Sequence, residues 1–424
     1  MTAGEAGGAA HDAHALQRDD VPGRRLTLGI HIHAWKQAIL RRYFPERDFV
    51  FLPFHCSPRV LCRRWLTPDM AARRPDILVW SLNLPPHVED FAQRAGLNIL
   101  VMEDGFIRSA RPNASRTPPL SLALDSRTAY FDARTPSDLE RLLETHDFEA
   151  DPLLLERAVV GMQVMLARGL SKYNGAALTA AGSLYGEKTR PRILVVGQVD
   201  DDASIRFGCT RMRAQDELVR LAVTENPDAE VIFRPHPDVV AGVRPSRVDL
   251  QDLAKICRIS TERAPIAEAL STVDRVYTLT SLAGFEALMR RIPVTVAGYP
   301  FYAGWGLTDD RSGMTRRRRR LSLEALFAGA YLLYPRYFDP QIGLPIDFER
   351  ALGHLQSPDD RAAIEWEGAP QKGAWTRLAA QLVSPVVARV ATQEDAAYCR
   401  AFPASFFRER PERALRLLGR LLFS

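Results

Sequence analysis

Three consecutive carboxylates, Asp200, Asp201 and Asp202, follow the apolar run Ile193-Leu-Val-Val196. That run reads as a buried strand, so the acidic triplet sits just past the strand's C-terminal end. In open α/β sheets this is the edge where ligands bind. Three like charges side by side disfavour one another's ionisation, which raises the electrostatic energy of the loop. Taken alone, the triplet also reads as a solvated turn with Ser204 capping the next helix. Four more motifs at equivalent strand ends shift the balance toward chemistry.

The first is Glu103-Asp-Gly-Phe-Ile-Arg-Ser109, which continues directly from the apolar run 97–102. Gly105 permits a tight turn there, and either Glu103 or Asp104 could exchange a proton as general acid or base. The second, Arg234-Pro-His-Pro-Asp238, ends the run 230–233. Its prolines stiffen the backbone on both sides of His236, and Arg234 offers a two-pronged fork for phosphate or carboxylate. The third, Leu279-Thr-Ser-Leu-Ala-Gly-Phe-Glu-Ala-Leu288, places Thr280 or Ser281 as the cap of a helix whose free N–H groups could hold a phosphate. Gly284 lets a ligand or strand approach the first turn, and Glu286 could bind ribose hydroxyls. The fourth, Gly298 to Arg311, is dense in Gly, Pro and aromatics, with Tyr302 and Trp305 able to stack on a base or sugar. His31-Ile-His33 puts two imidazoles on one strand face, but no nearby carboxylate or Cys completes a ligand set. His55 beside Cys56 is no better. No metal site is expected.

Short apolar runs alternate with helical periods along the chain and must position these motifs. In the first half, strands are expected at 26–32, 48–54, 77–80 and 97–102, with helices at 34–43 and 88–95. A long helix over about 153–170 leads to Ser171-Lys-Tyr-Asn174 and a Gly/Ala-rich linker. The pattern restarts at Arg192, with strands at 193–196, 230–233, 258–261, 275–278 and 294–297 between helices. Alternation at this spacing means βαβ units and parallel sheets. The fold class is therefore α/β: two Rossmann-like domains facing a cleft, the arrangement called GT-B, with C-terminal helices. The expected divisions are a disordered tail at 1–25, one domain at 26–185, a second at 186–350 and a helical extension at 351–424.

Composition agrees with a two-domain enzyme. At 424 residues the chain exceeds the size at which single cores divide. No apolar run reaches the length of a membrane span, and the first 25 residues lack the apolar centre of a secretion signal. Five cysteines without close spacing point to reduced thiols in the cytoplasm. The basic run Arg316 to Arg320 has no interleaved aromatics for base stacking. A solvated basic loop near an anionic substrate or membrane is expected there, not a nucleic-acid site. Near the end, Arg408, Arg410, Arg413, Arg416 and Arg420 lie among leucines at helical spacing. That pattern suits either an anionic membrane surface or a helix packed on its own domain.

In their order along the chain, several of these strings resemble the capsular polysaccharide biosynthesis family of Kps-type retaining β-Kdo transferases. The likeness is nearest to the C-terminal module of the family's two-module members. It spans about residues 95–350 and also draws on Pro119 to Asp125 and Tyr334-Pro-Arg-Tyr337. The resemblance implies CMP-Kdo as donor substrate, no other cofactor, and a glycan or glycolipid acceptor such as a growing poly-Kdo chain. It implies a cytoplasmic enzyme, peripheral on the inner membrane and linked to capsule assembly, with an acceptor-side first domain and a CMP-sugar-binding second. Asp202 matches the nucleophile and Glu103 the acid/base across the cleft. His236 and the Ser281 helix would hold the leaving phosphate, Glu286 the ribose, and Arg206 and Arg234 the donor's carboxylate. Gln198, Ser204, Thr280, Gly284, Tyr302 and Trp305 complete the implied donor site. Two rivals stay open: a GT-B transferase or epimerase using another nucleotide sugar, and a non-catalytic capsule assembly or export module.

Overall fold

The computed structural model describes residues 23–55, 57–109, 116–172, 174, 184–210, 214–242, 244, 246–262, 264–313, 315–355, 373–390 and 393–423. The expected tail lies outside them as far as residue 22. The first sheet contains β1 (Arg25–Ile30), β2 (Arg47–Phe51), β3 (Asp76–Trp80), β4 (Ile99–Asp104) and β5 (Ser121–Asp125). The second contains β6 (Arg192–Val196), β7 (Glu230–Arg234), β8 (Arg258–Ile259), β9 (Arg275–Thr278), β10 (Val294–Val296) and β11 (Asp309–Asp310), in the order β11-β10-β9-β6-β7-β8, all parallel. Every residue of β6 is buried, as expected of a central parallel strand covered on both faces.

One boundary moves. β12 (Arg336–Phe338) and β13 (Pro345–Ile346) fall within the stretch expected to form the second domain. They instead pair antiparallel beyond β5, so the first sheet runs β13-β12-β5-β4-β3-β1-β2. β5 reverses direction after β4, and the returning chain covers its open edge. The extension after residue 373 also comes home to the first domain. Tyr398, Phe402, Phe406, Phe407 and Phe423 share a core cluster with Trp35, Ile39 and Tyr43 of the helix Ala34–Tyr43. Cys62, Cys209, Cys257 and Cys399 form no disulfide among the described residues, and Cys56 lies outside them. No helix among the described residues is long and apolar enough to cross a membrane.

The arginine run departs from expectation most. Arg316, Arg317 and Arg319 do not form a solvated loop; they clamp the second domain to the first. Glu140, in the first-domain helix Asp138–Thr145, accepts from Arg316 Nη2 at 2.8 Å and from Arg317 Nε and Nη2 at 3.0 and 2.8 Å. Arg317 Nη1 donates to the carbonyls of Pro300 and Ala303 at 2.6 and 2.7 Å, and its guanidinium lies 4.0 Å from the centre of the Tyr299 ring. Arg319 donates to the His146 carbonyl at 2.6 Å. Burial alone would raise the Glu140 carboxyl, but the two guanidinium groups outweigh it and hold the group below its ordinary value. Around this clamp a single core cluster joins Phe106, Leu139 and Leu143 of the first domain to Phe285, Phe301 and Trp305 of the second.

Glu140→Ala would leave Arg317 buried without its carboxylate and should cost about 3 kcal/mol or more of unfolding free energy. The exposed pair Arg157–Glu349, at 3.0 Å, is the control. Glu349→Ala should cost below about 1 kcal/mol. Denaturant unfolding of both variants measures the difference.

Candidate active site

At the edge of the second sheet the three aspartates do different jobs. Asp200 accepts from Gln215 Nε2 at 2.5 Å and from the Arg247 backbone N–H at 2.6 Å, while Asp201 accepts from Arg244 Nη2 at 2.5 Å. Both are engaged in holding the loop. Asp202 is the N-cap of the helix Ala203–Gly208 and is exposed. Its Oδ1 accepts from the Ser204 N–H at 2.8 Å and from the Ser204 hydroxyl at 2.6 Å.

The Ser204 hydroxyl leads into a network. Thr280 Oγ1 lies 3.1 Å from it, Gln198 Nε2 donates to Thr280 Oγ1 at 2.9 Å, and Gln198 Oε1 accepts the Thr280 N–H at 2.9 Å. Gln215 clasps the Gln198 backbone through both its N–H and its carbonyl, each at 2.7 Å. Asp202, Ser204, Gln198 and Thr280, all named in the sequence analysis, are thus joined in one hydrogen-bonded network. Gln215 was not singled out, because it sits on a separate helix, Gln215–Glu225, with no motif around it.

Ser281 caps the neighbouring helix Leu282–Met289, its hydroxyl accepting the Ala283 N–H at 3.2 Å. His236 caps the short turn Pro237–Val240, with Nδ1 accepting the Asp238 N–H at 3.1 Å. That bond assigns the proton of the neutral ring to Nε2. Burial lowers the imidazole's pKa, opposed by the charges of Asp238 and Asp202. Arg206 is exposed on the Asp202-capped helix, 5.1 Å from the centre of the Phe207 ring.

Five expected site residues are placed differently. Tyr302 and Trp305 are fully buried and cannot stack on a ligand. The Tyr302 hydroxyl donates to the Ser281 carbonyl at 2.5 Å, Trp305 Nε1 donates to the Phe301 carbonyl at 2.8 Å, and the Arg317 guanidinium lies near the Trp305 ring. Gly284 is small for Tyr302 and not for a ligand, since a Cβ there would overlap the Tyr302 hydroxyl. Arg234 is buried with Nη2 on the Ala264 carbonyl, so it braces a loop and does not present both prongs. Glu286 is buried against the interdomain linker, where it accepts from the Ser171 hydroxyl at 2.7 Å. Its Oε2 has no partner among the described residues.

The edge of the first sheet supplies the opposing wall. Glu103 lies near the end of β4 and is half-buried. Burial raises its carboxyl above the ordinary value, and the Asp104 charge adds to that. The Ser81 hydroxyl and the Lys172 and Lys36 ammonium groups act against it. Asp104 faces inward to Arg108, whose Nε donates to it at 3.2 Å. Beside it opens a cavity of about 900 Å³, lined among others by His31, His33, Lys36, His55, Trp80 and Arg116, with Asp238 reaching in from the second domain. The Lys36 ammonium sits 2.9 Å from the centre of the Trp80 ring, and burial pushes its pKa down to about 7. His31, His33 and His55 all contact the Phe54 ring. Parallel pairing of β1 with β2 brings these separated imidazoles together. Among the described residues no group of three His, Cys, Asp or Glu is placed to hold a metal ion.

Two Rossmann-like sheets whose C-terminal strand edges meet at a cleft define the GT-B class of α/β fold. The chain belongs to the family described as capsule polysaccharide biosynthesis protein, whose model matches residues 75–174 and 157–337. It is 40% identical over 344 residues to the lipopolysaccharide-processing protein LpsZ of Rhizobium meliloti, covering 80% of this chain and 75% of that one. It is 39% identical over 337 residues to the capsule polysaccharide modification protein LipA of Neisseria meningitidis serogroup B, covering 79% of this chain but only 46% of that one. Among solved structures it is similar to two chains of KpsC from Thermosulfurimonas dismutans, each at 32% identity and covering 78% of this chain. The β-Kdo 2,4 transferase has a TM-score of 0.66 over 97% of its length, and the β-Kdo 2,7 transferase 0.59 over 98%.

Burial pushes the Glu286 carboxyl from 4.5 to about 7. Between those values the folded protein holds a proton that the unfolded chain has lost. Stability should therefore fall as pH rises through this window, by roughly 3 kcal/mol in all. Thermal unfolding across the range, compared with Glu286→Gln, should show that slope in the native protein and its absence in the variant.

Proposed function

We propose that this chain is a capsule glycosyltransferase that moves Kdo from CMP-Kdo to a glycan or glycolipid acceptor with retention of configuration. The observation that carries this reading is the different setting of two carboxyls. Asp202 is exposed and held through one oxygen by Ser204, while Glu103 on the facing edge is half-buried with a raised pKa. A nucleophile and a partner that trades a proton need such contrasting environments. Membership of the capsule biosynthesis family and the 32% identity to the two KpsC transferase chains support the choice of sugar.

In the first step the donor phosphate lies against the N–H groups of the Ser281-capped helix, the His236 Nε2–H and the Arg206 guanidinium. These groups supply its counter-charge without a divalent cation. Asp202 attacks the anomeric carbon through Oδ2, the oxygen without a described partner, as the carbon–oxygen bond to phosphate breaks. CMP leaves with the bonding electrons. The Gln198–Thr280–Ser204 network fixes the attacking carboxylate by holding Oδ1. In the second step an acceptor hydroxyl, delivered from the cavity beside Glu103, attacks the same carbon. Its proton passes to Glu103, and Asp202 is released as carboxylate. Two inversions give net retention. The place of action is the cytoplasmic side of a membrane that carries the acceptor.

Asp202→Asn should lower transfer at least about 1,000-fold while the protein still binds CMP, whereas Asp201→Asn should stay within about tenfold. Mass spectrometry of the protein incubated with a CMP-Kdo generating system should find a Kdo adduct on the Asp202 peptide, enriched in Glu103→Gln. Excess EDTA should leave turnover unchanged. Full activity of Asp202→Asn would overturn the double displacement. Turnover of UDP-sugars alone would favour another nucleotide-sugar enzyme, and binding without turnover a non-catalytic module.

A further inference from the structure

Two helices of the C-terminal extension, Ala374–Val390 and Arg413–Phe423, touch each other and bury one face in the same cluster. Ala379, Ala380 and Val387 of the first and Phe423 of the second point into it. Their opposite faces are apolar as well. Trp375, Leu378, Leu382 and Val386 follow helical spacing on the first helix, and Trp375 and Leu382 are 69% and 68% exposed. On the second helix Leu417 and Leu418 are exposed, and Leu421 is 81% exposed. Large apolar side chains gathered on adjoining helices mark an interaction surface, unlike scattered single ones.

Charge identifies what the surface meets. Residues 374–423 carry eight arginines against four carboxylates, most of the chain's formal net charge of +5. Two of those carboxylates are turned away from solvent. Asp395 pairs with Arg116 and Arg410 at 2.6 and 2.9 Å, and Glu409 accepts from the Ala34 N–H and the Tyr398 hydroxyl, each at 2.9 Å. Arg377, Arg413 and Arg420 are exposed and make no ion pair among the described residues. A second copy meeting this face across a two-fold axis would set the same cations against each other.

We propose that this two-helix face docks on an anionic lipid surface, with Trp375 and the leucines at the acyl boundary and the arginines on lipid phosphates. The inference is independent of the transfer reaction. It has a geometric consequence for the cleft, because the same extension reaches the cavity wall. Glu409 meets His33 Nδ1 at 2.6 Å, and Asp395 lines the cavity. Docking would therefore hold the mouth of that cavity near the headgroups.

The full chain should cosediment with vesicles of phosphatidylcholine plus phosphatidylglycerol and much less with phosphatidylcholine alone, weakening as salt rises. Replacing Arg413 and Arg420 by Gln should reduce binding roughly thirtyfold, the factor for two basic contacts near a membrane. Trp375→Ser with Leu421→Ser should also lose at least about tenfold. Both Arg positions are exposed, so their variant tests the surface even if the apolar variant fails to fold. Equal sedimentation with both vesicle types, or variants that bind like the native chain, would overturn the proposal. So would light scattering that shows a dimer abolished by these same substitutions.

Discussion

Taking a guanidinium out of water is costly unless acceptors meet it, and Arg317 meets that cost with a carboxylate from the other domain. It is buried between the Tyr299 and Trp305 rings, and its carboxylate, Glu140, belongs to the other domain. The second domain can bury its own aromatic loop only by closing on the first. Backbone contacts follow the same closure, as where the Ala133 N–H donates to the Phe207 carbonyl at 2.9 Å. Phe207 lies within the helix that Asp202 caps. The clamp thus fixes where the acidic loop stands relative to the first domain, although it contains no group that does chemistry.

The facing edge is prepared by strain as well as charge. His31 and Ser81 immediately follow β1 and β3, and each has a positive φ, 53° and 57°. Such a conformation is costly for a residue with a side chain and persists only where its surroundings hold it. Here the holders are visible: His31 Nδ1 lies 2.7 Å from the Asn83 carbonyl, and the Ser81 N–H donates to the Met102 carbonyl at 2.9 Å. The sharp turn at Ser81 brings its hydroxyl to Glu103, and the turn at His31 starts the loop that leads into the Lys36 helix. Two neighbouring parallel strands therefore end abruptly, and the cavity occupies the space they leave.

Local pattern made the scaffold legible. The helix 34–43 and the strand 275–278 occur where periodicity places them, because apolar residues there answer to one sheet or one helix face. The strand-end motifs pointed to Asp202 and to Ser204 and Thr280 as helix caps, whereas Gln198 came from the family resemblance. What failed depended on distant chain. The helix that carries Lys36 is covered by an extension more than three hundred residues later in the chain. β12 cannot be assigned to the first sheet without knowing that β5 reverses. Tyr302 and Trp305 show that aromatic type in a Gly-rich loop says nothing of exposure. Tyr302 is enclosed against Gly284, and Trp305 lies near Arg317, whose carboxylate partner Glu140 belongs to the other domain.

The division of labour between the two edges follows from what each sheet can tolerate. β6 is buried throughout, so a carboxylate placed within it would be desolvated and drawn toward its neutral form. By falling in the loop beyond, Asp202 keeps solvent and the Ser204 hydroxyl. Glu103 occupies the opposite situation, within the end of β4 itself, where burial favours the protonated form and the nearby Lys36 and Lys172 limit how far. The contrast requires only that one acid lie a few residues past its strand and the other lie inside its strand. Moving Glu103 out beyond β4 would remove the burial that raises its carboxyl above the ordinary value.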